Sequence, residues 1–338
     1  MKEEKIDFVM LWVNEKDPEW QKEKNKYEQK ELNEHENVDN SKIRYRDWEN
    51  LKYWFRGVEK FAPWANKIHF ITCGHIPEWL NINNPKLHIV KHSEYMPARA
   101  LPTFNSNAIE LLIHKIQGLE ENFVLFNDDT FLTQKVKETD FFIKGKPCNT
   151  MALTPIVPME NGKHYKTVAN NIEIINKYFD FKSILKKNIK KYTSFKQGKY
   201  IFKTYPLLIY NKFVGFANFH LPLSYKKSTF EMVWTKEEKK LQETVYSRFR
   251  DYENNISHWL FNYWQFASGE FYQKSVNFGK NILINDPKAS KFIIRQKYKT
   301  LGLGDSEQIK DFENVKNNII KSVPYDFVTS NNNLVLKM

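Results

Sequence analysis

The run Ile6 to Val13 (IDFVMLWV) is apolar at nearly every position and stops at Asn14-Glu15-Lys16-Asp17-Pro18. So short and continuous a run belongs to a strand covered on both faces, since a half-exposed strand would alternate apolar with polar residues. Lys67 to Cys73 (KIHFITC), Leu87 to His92 (LHIVKH) and Phe123 to Phe126 have the same strand character. Between them lie helical patterns. A charged stretch from Glu19 to Asn40 reads as a solvated helix and loop. From Asp47, the positions Trp48, Leu51, Tyr53, Trp54, Phe55, Val58 and Phe61 give a wide apolar face that Pro63 stops. Asn105 to Gln117 reads as a helix with Ile109, Leu112, Ile113 and Ile116 at core spacing and Gly118 at its end. Strands alternating with helices predict an α/β fold, a mostly parallel sheet flanked by helices on both faces.

Ligands of such sheets bind at the carboxyl ends of the strands. The turns Asn14 to Asp17 and Asn127 to Asp129 each follow an apolar strand, so both are expected at that edge. Asn127-Asp128-Asp129 offers hard oxygen ligands for Mg²⁺ or Mn²⁺ beside a diphosphate, although Asp and Asn also end strands because they favour turns. His220, in the segment Phe219 to Leu223, is either a satisfied core histidine or a group that takes a proton from an attacking hydroxyl. Arg248-Phe249-Arg250 ends a helical stretch that starts at Lys236, where cations cap the helix dipole or clamp phosphate oxygens. An aromatic helix from Ile256 to Phe271 and a tail from Lys280 complete the chain.

Composition narrows the function classes. With 338 residues, 41% hydrophobic and 15% aromatic, the chain has enough apolar surface to bury a sizeable core and is not a disordered or stapled mini-protein. Two cysteines, Cys73 and Cys148, lack metal-ligand spacing and fit a reducing compartment, so a cytoplasmic location is expected. The N-terminus runs straight into a strand, so no signal peptide or bilayer span is expected and any membrane contact is peripheral. The net charge of +12 is concentrated: between Asp180 and Glu231 there is no acidic residue and there are eleven lysines. Phe181, Ile184, Leu185, Ile189, Tyr192 and Phe195 fall on one face there, so Phe181 to Phe195 reads as a basic amphipathic helix. It is either a surface helix packed on the core or a face that docks on an anionic membrane or polymer.

The segments IDFVMLWVNEKDPEW (Ile6 to Trp20), RYRDWENLKYWFRGVEKFAPWANKIHFITCGHIPEWL (Arg44 to Leu80) and LPTFNSNAIELLIHKIQGLEENFVLFNDDTFL (Leu101 to Leu132) resemble the first two conserved regions of the Stealth family. FHLPLSYKK with SRFRDYENN, and ILIND (Ile282 to Asp286), are similar to its third and fourth regions. That family contains bacterial capsular-polysaccharide hexose-1-phosphate transferases and the lysosomal-enzyme N-acetylglucosamine-1-phosphotransferase. The resemblance spans nearly the whole chain in order. It departs at Glu15, where relatives commonly have Gly, and at Trp48 and Asn50, and residues 151–212 carry no family motif.

The resemblance implies a nucleotide-sugar-transferase-like (GT-A/Rossmann-like) core with an added basic helical segment. It implies one catalytic domain over residues 1–338: an α/β core at 1–150, a variable basic segment at 151–212, and a completing region at 213–338. The implied reaction moves a sugar 1-phosphate from a UDP-sugar to an acceptor hydroxyl of a growing, lipid-linked polysaccharide and releases UMP. Asp128 and Asp129 would hold Mg²⁺ or Mn²⁺, with Asp286 a second candidate for metal or substrate contact. His220 would be the general base and Arg250 would stabilise phosphate oxygens. Asn14, Asp17, Asp47, Arg56, Ser106 and Glu110 would line the donor site. A metal-dependent glycosyltransferase would use the same acidic pair but release UDP. A nucleic-acid-binding protein would account for the basic segment but not for carboxylates clustered after strands, so no nucleic-acid partner is expected.

Overall fold

In the computed structural model, which describes residues 4–32, 38–39, 41–158, 164–324 and 333–335, the first apolar run forms β1 (Ile6–Leu11) at the centre of a five-stranded sheet. The other strands are β2 (Ile68–Thr72), β3 (Leu87–Lys91), β4 (Asn122–Phe126) and, after the short β5 (Thr130–Leu132), β6 (Leu223–Lys226). The order is β3-β2-β1-β4-β6, parallel throughout except for the antiparallel edge strand β6. Phe8 pairs with both Ile68 and Val124, so β1, β2 and β4 are in step and their carboxyl ends form one edge. A second sheet sets β5 against β8 (Thr300–Gly304), which runs parallel to β7 (Gly279–Leu283).

Successive residues of a strand point to opposite faces, and the sheet has a core on each. Val9, Ile71, Phe123 and Leu125 face one core; Phe8, Met10, Phe70, Val124 and Phe126 face the other. The second is closed by α2 (Leu51–Phe61), where Trp54 meets Phe126 and Phe55 meets Phe70, both edge-on. The first is closed by α3 (Ser106–Leu111), α4 (His164–Tyr178), α7 (Lys227–Val245) and α8 (Trp259–Ser268), with Phe230 stacked on Phe261 at 3.6 Å. Asp7 interrupts the run and is fully buried. Its oxygens accept from Asn66 Nδ2, from the N–H groups of Lys67 and Glu120, and from His69 Nε2 at 2.9 Å, which satisfies a carboxylate in an apolar setting.

Three boundaries differ from expectation. The Asn105 to Gln117 helix is α only over α3; Leu112 leaves helical geometry and a 3₁₀ turn, Ile113–Lys115, follows. The basic helix is α5 (Phe181–Tyr192), bent where Asn188 turns its side chain onto the Ile184 carbonyl, and it ends before Phe195. Arg248 to Arg250 lie beyond the end of α7, so they do not cap it: Arg250–Asp251 forms a short antiparallel pair with Val38–Asp39.

Candidate active site

The carboxyl edge of β1, β2 and β4 opens into a cleft walled by Trp12, Trp20, Tyr45 and Phe104, with Ser106, Glu110, Asn127, Asp128 and Arg250 among its polar lining. The turn after β4 is tied by Thr130, whose N–H and hydroxyl both donate to the Asn127 carbonyl, while the Asp129 carbonyl accepts from the Leu303 N–H of β8. The strand end and the second sheet together therefore hold Asp128 and Asp129 in place. Protein walls around Asp128, then Asp129 and Asp47, push its carboxyl up to about 7. The side chain still opens onto solvent in the cleft, which screens part of that penalty.

Asp129 faces two ways. Its Oδ2 lies 2.8 Å from His220 Nε2, while Oδ1 is buried with no hydrogen-bond partner. The charge on Asp129 raises the His220 pKa above its ordinary value. His220 has φ of +47°, a left-handed conformation that non-glycine residues seldom adopt, and its carbonyl sits against β8: a Cβ on Gly302 would fall 2.8 Å from it.

Also in the cleft lining, Arg250 Nη2 donates to Ser106 Oγ at 2.6 Å. Asn105 fixes this register. Its Oδ1 caps α3 at the Asn107 N–H, and its Nδ2 reaches the carbonyls of Ser247 and Phe249 and Oδ1 of Asn255, so one fully buried amide ties the Arg250 segment to the helix carrying Ser106 and Glu110. Glu110 is pushed up to about 7 by burial, partly offset by Arg250 and His220. Behind it His258, whose pKa burial pushes down to about 3, bonds the Tyr225 hydroxyl through Nδ1 at 2.8 Å and lies 3.9 Å from Glu110 through Nε2.

The structure thus gathers Asp128, Asp129, His220, Arg250, Ser106 and Glu110 at one edge. Asp47 joins their rim, its Oδ2 accepting from the indole of Trp12, and burial raises its pKa. Asn14 and Asp17 stand beside the cleft in local roles: Asn14 Oδ1 accepts from the Lys16 N–H, and Asp17 accepts from the Trp20 N–H at the start of α1 (Pro18–Leu32). Two expected residues are not brought in. Arg56 lies in mid-α2 and is not part of the cleft lining. Asp286 is the N-cap of the helix Pro287–Arg295, accepting from the Lys288 N–H at 2.8 Å, and does not line the cleft.

Among the described residues no three His, Cys, Asp or Glu side chains group as a metal site. Asp128 with the unpartnered Asp129 Oδ1 instead makes a two-carboxylate set, which suits a cation that completes its shell with water and phosphate oxygens. Sequence reasoning missed Asn105, Asn255, the Tyr225–His258 pair and the aromatic wall. An asparagine just before a helical run hints at a cap, but its second use, across the fold, has no local signal.

Residues 4–31 match Stealth protein CR1, conserved region 1, and residues 44–149 match Stealth protein CR2, conserved region 2. The chain is 47% identical over 329 residues to a capsular polysaccharide phosphotransferase WcwK of Streptococcus pneumoniae, covering 96% of each chain. It is 42% identical over 326 residues to a receptor polysaccharide phosphotransferase WefC of Streptococcus oralis, covering 94% of this chain and 96% of that one. Among solved structures, a galactosyltransferase LgtC with donor and acceptor sugar analogues aligns over 95% of this chain and 99% of its own, at a TM-score of 0.37 and 9% identity. An α/β sheet with this cleft, in a chain so similar to these relatives, defines an enzyme of the phosphotransferase class. More particularly, the chain belongs to the Stealth family.

Proposed function

We propose that the protein transfers a hexose 1-phosphate or N-acetylhexosamine 1-phosphate from a UDP-sugar to a hydroxyl of a growing capsular or cell-surface polysaccharide, releasing UMP. The observation that carries this reading is the Arg250–Ser106 pair in the lining of the cleft, with the Asp129–His220 pair beside it, near enough to Asp128 and Glu110 for their charges to act on His220. Phosphoryl transfer needs positioning, charge neutralisation and proton removal rather than covalent help from the protein. With Nε2 donating to Asp129, His220 presents Nδ1 to the acceptor hydroxyl. The acceptor oxygen bonds to the phosphorus that bears the sugar, its proton passes to His220, and the bond from that phosphorus to the oxygen bridging the two phosphates breaks. UMP leaves with that oxygen and the anomeric bond is untouched.

Arg250, oriented by Ser106, supplies a planar fork to the phosphate oxygens. Trp12, Trp20, Tyr45 and Phe104 offer aromatic faces for the base of the donor. Asp128 and Asp129 are the residues that would hold Mg²⁺ or Mn²⁺, which when bound supplies positive charge to the diphosphate. Support for that assignment comes from two adjoining carboxyls, one pushed toward neutrality and the other with a buried oxygen lacking a partner. We place the enzyme on the cytoplasmic side, against the membrane that carries its lipid-linked acceptor; among the described residues no helix is long and apolar enough to cross a membrane.

The test is incubation of the purified protein with a panel of UDP-sugars and capsule-type oligosaccharides, with and without chelator, read by mass. UMP with an acceptor heavier by a sugar phosphate supports the reading. UDP with an acceptor heavier by the sugar alone makes the protein a glycosyltransferase.

A further inference from the structure

Among the described residues, six of the twelve exposed large apolar side chains lie in one stretch: Ile189, Phe195, Phe202, Tyr205, Ile209 and Tyr210. Phe195 is 88% exposed, Phe202 80% and Ile209 76%. The helix at its centre, α6 (Ile201–Leu207), is inside out. Ile201 and Thr204 are buried, while Phe202, Tyr205 and Ile209, spaced three and four residues apart, share the outer side. It cannot roll to bury them, because Thr204 Oγ1 donates to Gln197 Oε1 at 2.7 Å and accepts from the Leu153 N–H at 3.1 Å, both inside the protein. The fold therefore holds the apolar side outward.

The same stretch is the basic one. Lys186, Lys187, Lys190, Lys199 and Lys203 are interleaved with these side chains along the chain, all exposed, with no acidic residue from 181 to 230. A soluble polyanion would use the lysines and leave the phenylalanines in water. An anionic bilayer uses both, because aromatic and aliphatic tips enter the headgroup boundary while lysines stay at phosphate level.

From the sequence alone, the helix Phe181 to Phe195 is either a surface helix packed on the core or such a contact. The structure instead turns the apolar side of α5 inward, burying Phe181 and Tyr192, and ties Lys182 Nζ to the carbonyls of Leu208 and Ile209. Lys191 Nζ likewise bonds the Gly269 carbonyl. Apart from Ile189, the outward side chains are those that follow.

We propose that residues 189–210 form a docking surface for an anionic lipid bilayer. The surface adjoins the catalytic edge, since the ring of Tyr200 meets Phe219, the residue before His220, edge-on at 5.0 Å. Docking therefore brings the His220 loop toward the lipid; its benefit for a lipid-linked acceptor rests on the proposed function, whereas the binding itself does not.

The test is co-sedimentation of the full chain with vesicles of phosphatidylcholine alone, vesicles of phosphatidylcholine with phosphatidylglycerol, and, separately, retention on immobilised polyphosphate. The parent should bind the anionic vesicles only, and less at high salt. Phe202→Ser, Tyr205→Ser and Ile209→Ser together should weaken that binding more than about tenfold, since burying even one such side chain corresponds to a change of that order. The circular dichroism spectrum and UMP release on a short water-soluble acceptor should be unchanged. Lys199→Gln with Lys203→Gln should flatten the salt dependence. Parent protein that ignores both vesicles, or a triple variant that binds like the parent, overturns the proposal. Binding to polyphosphate that matches vesicle binding and ignores the apolar substitutions also overturns it, assigning the lysines to a polymer. If vesicle binding behaves as stated but no UMP appears, the docking surface stands and the proposed function fails.

Discussion

His220 Nε2 lies 2.8 Å from Asp129 Oδ2, a contact between residues 91 apart in sequence that joins the turn after β4 to the loop before β6. Because β4 and β6 are antiparallel neighbours, that turn and that loop emerge at one end of the sheet, so the topology alone brings the two side chains near each other. The second sheet fixes the rest, with β8 pinning the Asp129 carbonyl and accommodating the His220 carbonyl at Gly302.

If His220 takes the acceptor proton, His220→Ala lowers kcat by roughly 10²–10⁴-fold with little change in donor affinity, because a base acts in the transition state. Steady-state kinetics over a pH series checks this, and the acid limb of the parent profile should vanish in the variant. Loss of folding instead of rate would make His220 a structural residue.

Asp128→Asn and Asp129→Asn should each abolish turnover while leaving the melting temperature near or above that of the parent, since two adjoining carboxyls repel in the absence of a cation. EDTA should inhibit the parent, with recovery on adding Mg²⁺ or Mn²⁺. Full activity in chelator would refute the metal assignment.

Gly302→Ala separates positioning from chemistry. A Cβ there would sit 2.8 Å from the His220 carbonyl, so the loop must shift by some tenths of an ångström. A misplacement of that order should lower kcat at least about tenfold while KM for the donor changes much less. Parallel kinetics and thermal melts decide it; unaltered kcat would mean the loop adapts.

How legible this was in the sequence depended on distance along the chain. The buried strands and α2 were readable because apolar periodicity is local, and the edge holding Asp128 followed from the alternation of strands and helices. Arg250 was misassigned to a helix end because its partners, Ser106 and the strand Val38–Asp39, are remote. Asp286 looked like a ligand in ILIND, yet an Asp followed by Pro and a helical run is also a cap, and that is how it folds. The aromatic wall of Trp20, Tyr45 and Phe104 comes from three separate segments and has no sequence pattern at all.

Two buried histidines predict acid lability. Burial pushes His258 down to about 3 and His114 down to about 4. Unfolding lets both recover the ordinary value near 6.5 and bind protons that the folded state refuses. Stability contributed by their neutral form is therefore present above pH 6.5 and falls as pH drops, by about 1.4 kcal/mol per unit for each histidine until it titrates. Glu110, raised to about 7, has the opposite sign and loses stability as pH rises from its unfolded value toward 7. Thermal melts of parent and His114→Gln between pH 4 and 7 are the check, with the variant expected to lose less on acidification, on the order of 1 kcal/mol or more.

The central claim concerns which bond breaks, and isotope tracing reads it directly. A UDP-sugar with ¹⁸O in the oxygen joining the anomeric carbon to phosphorus, turned over with a polysaccharide acceptor, should deliver the label into the product phosphodiester and release unlabelled UMP. Label retained in released UDP would mean that the anomeric bond was cut, and would contradict sugar-phosphate transfer.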